Sequence, residues 1–318
     1  MEIIQEVKYD ETMKTTVEPY LQQRCISGYT DSYDAVGKLH VLRYQADMPK
    51  GVIVICHGFT ESYPKYDELV YYFLQAGYHV WLPEHCGHGW SYRLTKDSSL
   101  VHIDNWKRYV RDFLHVCEYI RKKHPDLNLN LFAHSMGGAI GTLFLEKYPE
   151  VFERAVLSSP MLQVNFGKNP TWLVKVLMVL SKILRWDLKY VPGQKGFDHV
   201  YVFETSSSTS EPRYAYIFNQ REQVPQYTSY GGTYAWTRAS IKATKQIARD
   251  AGKVQIPVLL CQAGRDTMVR AEGQEYFAKN SGNTRIVRFP DSKHELFTAT
   301  YDIMLPYYEE VFDFYAEK

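Results

Sequence analysis

A segment of eight residues, LFAHSMGG at 131–138, connects a short apolar run to a stretch with helical periodicity, and it leaves few folds open to the chain. It places Ser135 between two small residues, Ala133 and Gly137, so that the backbone can bend sharply from a strand into a helix. Such a turn exposes the serine hydroxyl and directs the start of the helix towards it, where negative charge is favoured. We therefore predict that Ser135 is a nucleophile and not simply a helix cap.

Short apolar runs, rich in β-branched residues, recur along the chain and predict buried strands. The runs are 51–56, 78–82, 127–132, 155–157, 258–261 and 285–289. Stretches with apolar residues at helical spacing fall between them. In 104–123, for example, we expect Asp104 to cap a helix and Pro125 to stop it. This alternation predicts an α/β fold, with a mostly parallel sheet and helices on both faces.

The alternation lapses between residues 161 and 253, which is too long for an ordinary connection between strands. We interpret 161–253 as a helical lid inserted over the carboxyl ends of the strands, with 1–160 and 254–318 forming the core. Within the lid, residues 171–186 are strongly apolar, with cations at Lys175, Lys182 and Arg185 on one helical face. This helix either packs its apolar side over the core or touches lipid at a membrane surface.

A serine nucleophile needs a base and an orienting acid, which on such a turn follow in the order Ser, Asp or Glu, His. Asp266 and His294 each come directly after a predicted strand. His294 is also the only histidine beyond His199. We therefore predict a catalytic triad of Ser135, Asp266 and His294. Asp291 is the rival for the acid, but it lies too close to the histidine along the same loop.

The turn after the first apolar run, Cys56-His57-Gly58-Phe59, is suited to an oxyanion hole. We expect the backbone N–H groups of Phe59 and Met136 to donate to the reacting carbonyl oxygen. The alternative is an ordinary turn from strand to helix, in which Gly58 only relieves backbone strain.

Three segments together resemble the monoglyceride lipase and lysophospholipase branch of the α/β-hydrolases: HGF at 57–59, EHCGHGWS at 84–91 and HSMGG at 134–138. The segment GGTYAW at 231–236 is similar to a lid segment of bacterial lysophospholipases of the L2 type. The resemblance extends from about Arg43 onward, and Glu84 stands where that branch usually has Asp. It implies the α/β-hydrolase fold and the catalytic and oxyanion residues named above.

We accordingly expect a serine hydrolase that cleaves carboxylic esters of monoacyl lipids, lysophospholipids or monoglycerides, through an acyl-enzyme intermediate. Five residues are expected to contact the substrate: His57, Gly58, His134, Trp172 and Tyr234. The alternative enzyme is a carboxylesterase for small acyl or aromatic groups. Outside enzymes, the alternative is a catalytically silent ligand-binding protein of the same fold. Ser at position 135 disfavours hydrolases with an Asp nucleophile.

Composition and short sequence patterns also indicate which partners the protein is expected to bind and where in the cell it is expected to lie. The 37 Lys and Arg balance 36 Asp and Glu, which argues against nucleic-acid binding. Glu84-His85-Cys86-x-His88 contains possible metal ligands, but its glycines indicate a turn, so we predict no metal and no cofactor. The five scattered cysteines, the absence of a long apolar run and the N-terminal sequence predict a cytoplasmic protein, with peripheral membrane contact through the lid as a further option.

Overall fold

Eight strands form one mixed sheet at the centre of the computed structural model, which describes residues 2–317. The strands are β1 (Cys25–Asp31), β2 (Lys38–Tyr44), β3 (Gly51–Cys56), β4 (Tyr78–Pro83), β5 (Leu129–His134), β6 (Arg154–Ser158), β7 (Val258–Ala263) and β8 (Thr284–Phe289). They lie in the order β1-β2-β4-β3-β5-β6-β7-β8. Strand β2 is antiparallel to both of its neighbours, and all other pairs are parallel. The mostly parallel sheet predicted from the sequence is thus confirmed.

Helices cover both faces of this sheet. They are α1 (Asp67–Gln75), α2 (Trp106–Lys123), α3 (Met136–Lys147), α4 (Thr171–Ile183), α5 (Glu211–Gln223), α6 (Tyr234–Asp250), α7 (Ala271–Asn280) and α8 (Tyr301–Ala316). Before the first strand, residues 6–22 form a helical segment that mixes 3₁₀, α and π turns.

The central strands are apolar on both sides because both faces of the sheet are covered. In β3, Val52 and Val54 belong to a core cluster that includes residues of α2, α3 and α6. Ile53 and Ile55 belong to a second cluster, with residues of the N-terminal helical segment, α1 and α8. Successive side chains point to opposite faces, so each central strand contributes to both clusters. This two-sided burial explains why the strands read as unbroken apolar runs.

Helix α2 begins at Trp106, and its cap is Asn105, whose side chain accepts the backbone N–H of Lys107 at 3.0 Å. The prediction that Asp104 caps this helix is wrong. Its carboxylate instead accepts from the guanidinium of Arg108 one turn further on, at 2.7 Å. An ion pair with a partly buried arginine therefore replaces the expected capping bond.

The chain between β6 and β7 forms α4, α5 and α6. Helix α4 buries Val174 and Met178 in a small cluster with Tyr234. Helix α6 places Trp236 and Ala239 in the main core cluster. The division at 161 and 253 stays a prediction, and its outermost residues, 1 and 318, lie outside the described range. Within residues 2–317, no helix combines the length and apolarity that crossing a membrane requires.

Candidate active site

Ser135 lies on a sharp turn between β5 and α3, with φ +52° and ψ −117°. Positive φ is strained for a residue with a Cβ atom, so the surroundings must hold it. Two backbone hydrogen bonds do so: Ser135 N–H donates to Ser158 O at 3.1 Å, and Met161 N–H donates to Ser135 O at 2.8 Å. At Gly137 a Cβ atom would overlap the carbonyl oxygen of Cys56. The structure thus has the strand, turn and helix that the LFAHSMGG segment predicts.

His294 and Asp266 are hydrogen-bonded side by side, with 2.6 Å between Nδ1 of the ring and Oδ2 of the carboxylate. The other oxygen, Oδ1, accepts the backbone N–H groups of Met268 at 2.7 Å and Val269 at 3.1 Å. Burial alone would raise the pKa of Asp266, but the hydrogen bond and charge of His294 and the two N–H groups lower it. The carboxylate is therefore ionised and able to orient the ring.

The imidazole of His294 lies beside the turn that carries Ser135. Its ring centroid is 5.0 Å from that of His134, the residue before the serine. Among residues 2–317 no hydrogen bond joins the Ser135 hydroxyl to His294, and such bonds commonly tighten only when substrate is bound. The three predicted catalytic residues come from the carboxyl ends of β5, β7 and β8. The fold therefore brings them to one edge of the sheet.

The loop after β3 touches the start of α3, because Gly137 packs against the carbonyls of residues 56 and 57. Met136 is the first residue of α3, where a backbone N–H has no acceptor within the helix. The loop itself is fixed by Glu61, whose Oε2 accepts the N–H of Gly58 at 2.5 Å. The oxyanion role of Phe59 and Met136 stays a prediction. The contact between the loop after β3 and the start of α3 supports it.

The two histidines predicted to contact substrate are both buried. His57 accepts the backbone N–H of His85 through Nε2 at 2.9 Å, and its Nδ1 lies 2.8 Å from Gly58 O. Burial lowers the pKa of His57 and of His134, so both rings are held neutral near pH 7. These contacts let His57 support the loop that carries Phe59, and substrate contact by His57, Gly58 and His134 stays a prediction.

The two predicted substrate contacts in the insertion differ in their surroundings. Tyr234 is buried at the start of α6, with its ring 5.8 Å from that of Trp186. Trp172 lies in α4 and is mostly exposed. The structure therefore places Tyr234 within a packed cluster and Trp172 at the surface, and their contact with substrate stays a prediction.

A buried ionic network that the sequence analysis missed lies next to the triad. Lys65 Nζ donates to Glu61 Oε1 at 2.7 Å and to Glu295 Oε1 at 2.8 Å. Glu61 Oε1 also lies 3.0 Å from His134 Nδ1. Burial would raise the pKa of Glu295, but the charge and hydrogen bond of Lys65 lower it to about 2. The network thus connects the loop after β3, the end of β5 and the residue that follows His294.

Glu84, considered above as a metal ligand, is occupied by four hydrogen bonds. Oε1 accepts the hydroxyl of Ser62 at 2.5 Å and the N–H of Tyr63 at 3.1 Å. Oε2 accepts the N–H of Trp90 at 2.8 Å and lies 2.8 Å from His40 Nδ1. The carboxylate therefore ties the loops after β3 and β4 together. In the part of the chain that the structure describes, no group of three or more His, Cys, Asp or Glu residues is placed to hold a metal ion.

Comparison with known proteins identifies the family to which this chain belongs. The sequence profile described as serine aminopeptidase, S33 matches residues 47–300, which is most of the chain. The protein is a member of the serine aminopeptidase S33 family. The resemblance to hydrolases that the LFAHSMGG segment and its companions indicate is confirmed.

Two curated relatives of this S33 member have named activities. It is 32% identical over 235 residues to lysophospholipase L2 of Escherichia coli K12, covering 72% of this chain and 67% of that protein. It is 26% identical over 225 residues to monoglyceride lipase of Homo sapiens, covering 71% and 68%. Among solved structures, monoglyceride lipase of Saccharomyces cerevisiae superposes with a TM-score of 0.69 at 15% identity, covering 91% of this chain and 95% of that one. The shared architecture confirms the α/β-hydrolase fold.

Proposed function

We propose that the protein is a serine hydrolase that cleaves the carboxylic ester of monoacyl lipids, lysophospholipids or monoglycerides. One observation carries the chemistry: the strained Ser135 turn lies beside the hydrogen-bonded pair of His294 and Asp266. Lysophospholipase L2 and monoglyceride lipase, which are named for such substrates, support the substrate class.

The mechanism follows from the proposed roles. Ser135 Oγ attacks the ester carbonyl and gives its proton to Nε2 of His294. Asp266 holds the proton on Nδ1, which keeps Nε2 basic, and then stabilises the imidazolium. The N–H groups of Phe59 and Met136 hold the oxyanion. His294 next protonates the leaving alcohol and finally activates the water that releases the acid.

The substrate class is tested with a matched panel of esters. We expect kcat/KM to rise with acyl length from acetyl to palmitoyl, because burial of each CH₂ group contributes about 0.8 kcal/mol. A monoglyceride and a lysophosphatidylcholine with the same acyl chain then compare the head groups, with a short aryl ester as the control. If the short aryl ester is the best substrate, the alternative carboxylesterase is correct.

We also propose that helix α4 contacts membrane lipid. Six apolar residues of the helix, and Leu184 just after it, are between 43% and 69% exposed: Trp172, Leu173, Val176, Val179, Leu180, Ile183 and Leu184. A contiguous apolar surface of this kind is unfavourable in water and marks an interaction site. Lys175 and Lys182 are exposed on the same helix, where they suit anionic head groups.

Membrane contact is measured by cosedimentation with vesicles that contain phosphatidylglycerol. We expect Val179→Ser/Ile183→Ser to lower the partition coefficient about tenfold or more, since two exposed apolar side chains are lost. Lys175→Glu/Lys182→Glu should lower it through charge repulsion. The matched control is Val36→Ser/Met48→Ser, which changes two apolar residues that are exposed outside α4. Equal sedimentation of all four proteins would remove the membrane proposal.

A further inference from the structure

A cavity of about 420 Å³ lies between the N-terminal helical segment, strands β1 and β2, and the start of α1. No residue proposed above for catalysis lines it. Four aromatic side chains contribute to its walls: Tyr29, Tyr44, Tyr63 and Trp90. The rings of Tyr63 and Trp90 are 5.2 Å apart, with 36° between their planes. The volume is in the range of small-molecule sites and well above what a metal ion occupies.

The charged and titratable side chains on the walls of this cavity are mostly acidic. Asp67 and Glu18 line it, none of the described lining residues is Lys or Arg, and the one lining histidine, His40, is already joined through Nδ1 to Glu84 Oε2 at 2.8 Å. Glu18 already accepts the hydroxyl of Tyr216 at 2.7 Å. Asp67 is only 9% exposed, and among residues 2–317 its carboxylate has no hydrogen-bond or ion-pair partner. Burial and the nearby Glu18 raise the pKa of Asp67 well above its ordinary value, as expected for a carboxyl group without a cation beside it.

We propose that this cavity binds a small organic cation that carries an alkylated ammonium group, such as the trimethylammonium group of choline. Aromatic faces attract such a cation through their quadrupoles. A cation bound beside Asp67 would also lower the pKa of this carboxyl group, so that it releases its proton and supplies the counter-charge. A quaternary ammonium needs no hydrogen-bond acceptor and gains most from the aromatic faces, whereas a primary ammonium would also use the free oxygens of Asp67. A metal ion is disfavoured because the described residues offer no set of three ligands.

Free choline and the head group of choline lipids both carry this cation. In the head group a phosphate follows the ammonium closely, and it would be repelled by Asp67 and Glu18. The free cation is therefore the expected ligand. The proposal does not depend on ester hydrolysis, because the cavity and the triad have no residue in common.

Binding is tested by calorimetric titration of the full-length protein at constant ionic strength. The probes are choline chloride, phosphocholine and the uncharged carbon isostere of choline, in which a tert-butyl group replaces the trimethylammonium. We expect saturable binding of choline and at least about tenfold weaker binding of the isostere. Only the cation is attracted to the aromatic faces and to the charge of the carboxylate. Phosphocholine should also bind more weakly. Equal binding of choline and its isostere, or no saturable binding of choline, would overturn the proposal.

Two variants connect the binding to these walls. Asp67→Asn keeps the shape of the side chain and is expected to weaken choline about tenfold or more, with little effect on the isostere. Trp90→Leu removes one aromatic ring from the wall of the cavity and tests the proposal independently of Asp67. The matched control is Asp302→Asn, which also lies in the first turn of a helix but is exposed. Circular dichroism and thermal unfolding verify the fold of each variant. Unchanged choline affinity in a folded Asp67→Asn or a folded Trp90→Leu protein would contradict the assignment.

Discussion

Replacing Ser135 with Ala is expected to lower the turnover of p-nitrophenyl butyrate by on the order of 10⁴- to 10⁶-fold, because the attacking oxygen is lost. The turn itself should survive, since its backbone bonds to Ser158 and Met161 do not involve the hydroxyl. The residual rate then reports what binding and the oxyanion donors contribute without a nucleophile.

The control for this variant is chemical as well as structural. A fluorophosphonate probe should label the wild-type protein at residue 135 and leave Ser135→Ala unlabelled. The circular dichroism spectrum and the melting temperature should match those of the wild type. Turnover near the wild-type level in a folded Ser135→Ala protein would mean that another group carries the reaction.

Replacing Asp266 with Asn is expected to lower kcat by about 10⁴-fold. The amide retains an oxygen for the N–H groups of Met268 and Val269. It loses the negative charge that faces Nδ1 of His294, so the ring can adopt the wrong tautomer and the imidazolium is less stable. KM should change far less than kcat, because the carboxylate acts through the histidine.

Asp291→Asn is the matched control, since Asp291 is the aspartate nearest to His294 along the chain. Asp291 is exposed, and its backbone oxygen, not its carboxylate, accepts a hydrogen bond from Arg265. We expect its substitution to change kcat less than about twofold, as surface substitutions usually have small effects. A larger loss in Asp291→Asn than in Asp266→Asn would reverse the assignment of the acid.

The parts of the fold that depend on local patterns could be predicted from the sequence. Strand β3 covers 51–56 as predicted, and β4 and β8 differ from the predicted runs by one residue at one end. No strand is predicted before residue 51, whereas the structure has two there, β1 and β2. Strand β1 is an edge strand whose side chains are mostly exposed, so it has no apolar run. Strand β2 contains a buried His40 that is stabilised by Glu84 from a later loop.

The candidate site is likewise only partly predictable from local sequence patterns. The order of Ser135, Asp266 and His294 along the chain is enough to predict that they meet, because parallel strands end at one edge of the sheet. The pairing of Lys65 with Glu295 joins residues 230 positions apart, and periodicity carries no information at that distance. The spacing of Glu61 and Lys65 by four residues was a local signal for half of the network.

Helix α4 illustrates a different limit. Its sequence is apolar around most of its circumference, so spacing alone does not show which side packs. The structure buries Val174 and Met178 and leaves most of the other apolar side chains exposed. That choice is made by the neighbouring cluster around Tyr234, which comes from a different part of the insertion.

The long insertion between β6 and β7 also sets the order in which the proposed enzyme is completed during translation. The backbone partners that hold the Ser135 turn lie no further along than Met161, so the turn is supplied early. Its acid and its base emerge from the ribosome only after the entire insertion, together with β7 and β8. Until then the growing chain holds a serine without a base, which is a poor nucleophile. A half-made copy would therefore leave esters intact, and hydrolysis would begin only when the last two strands dock.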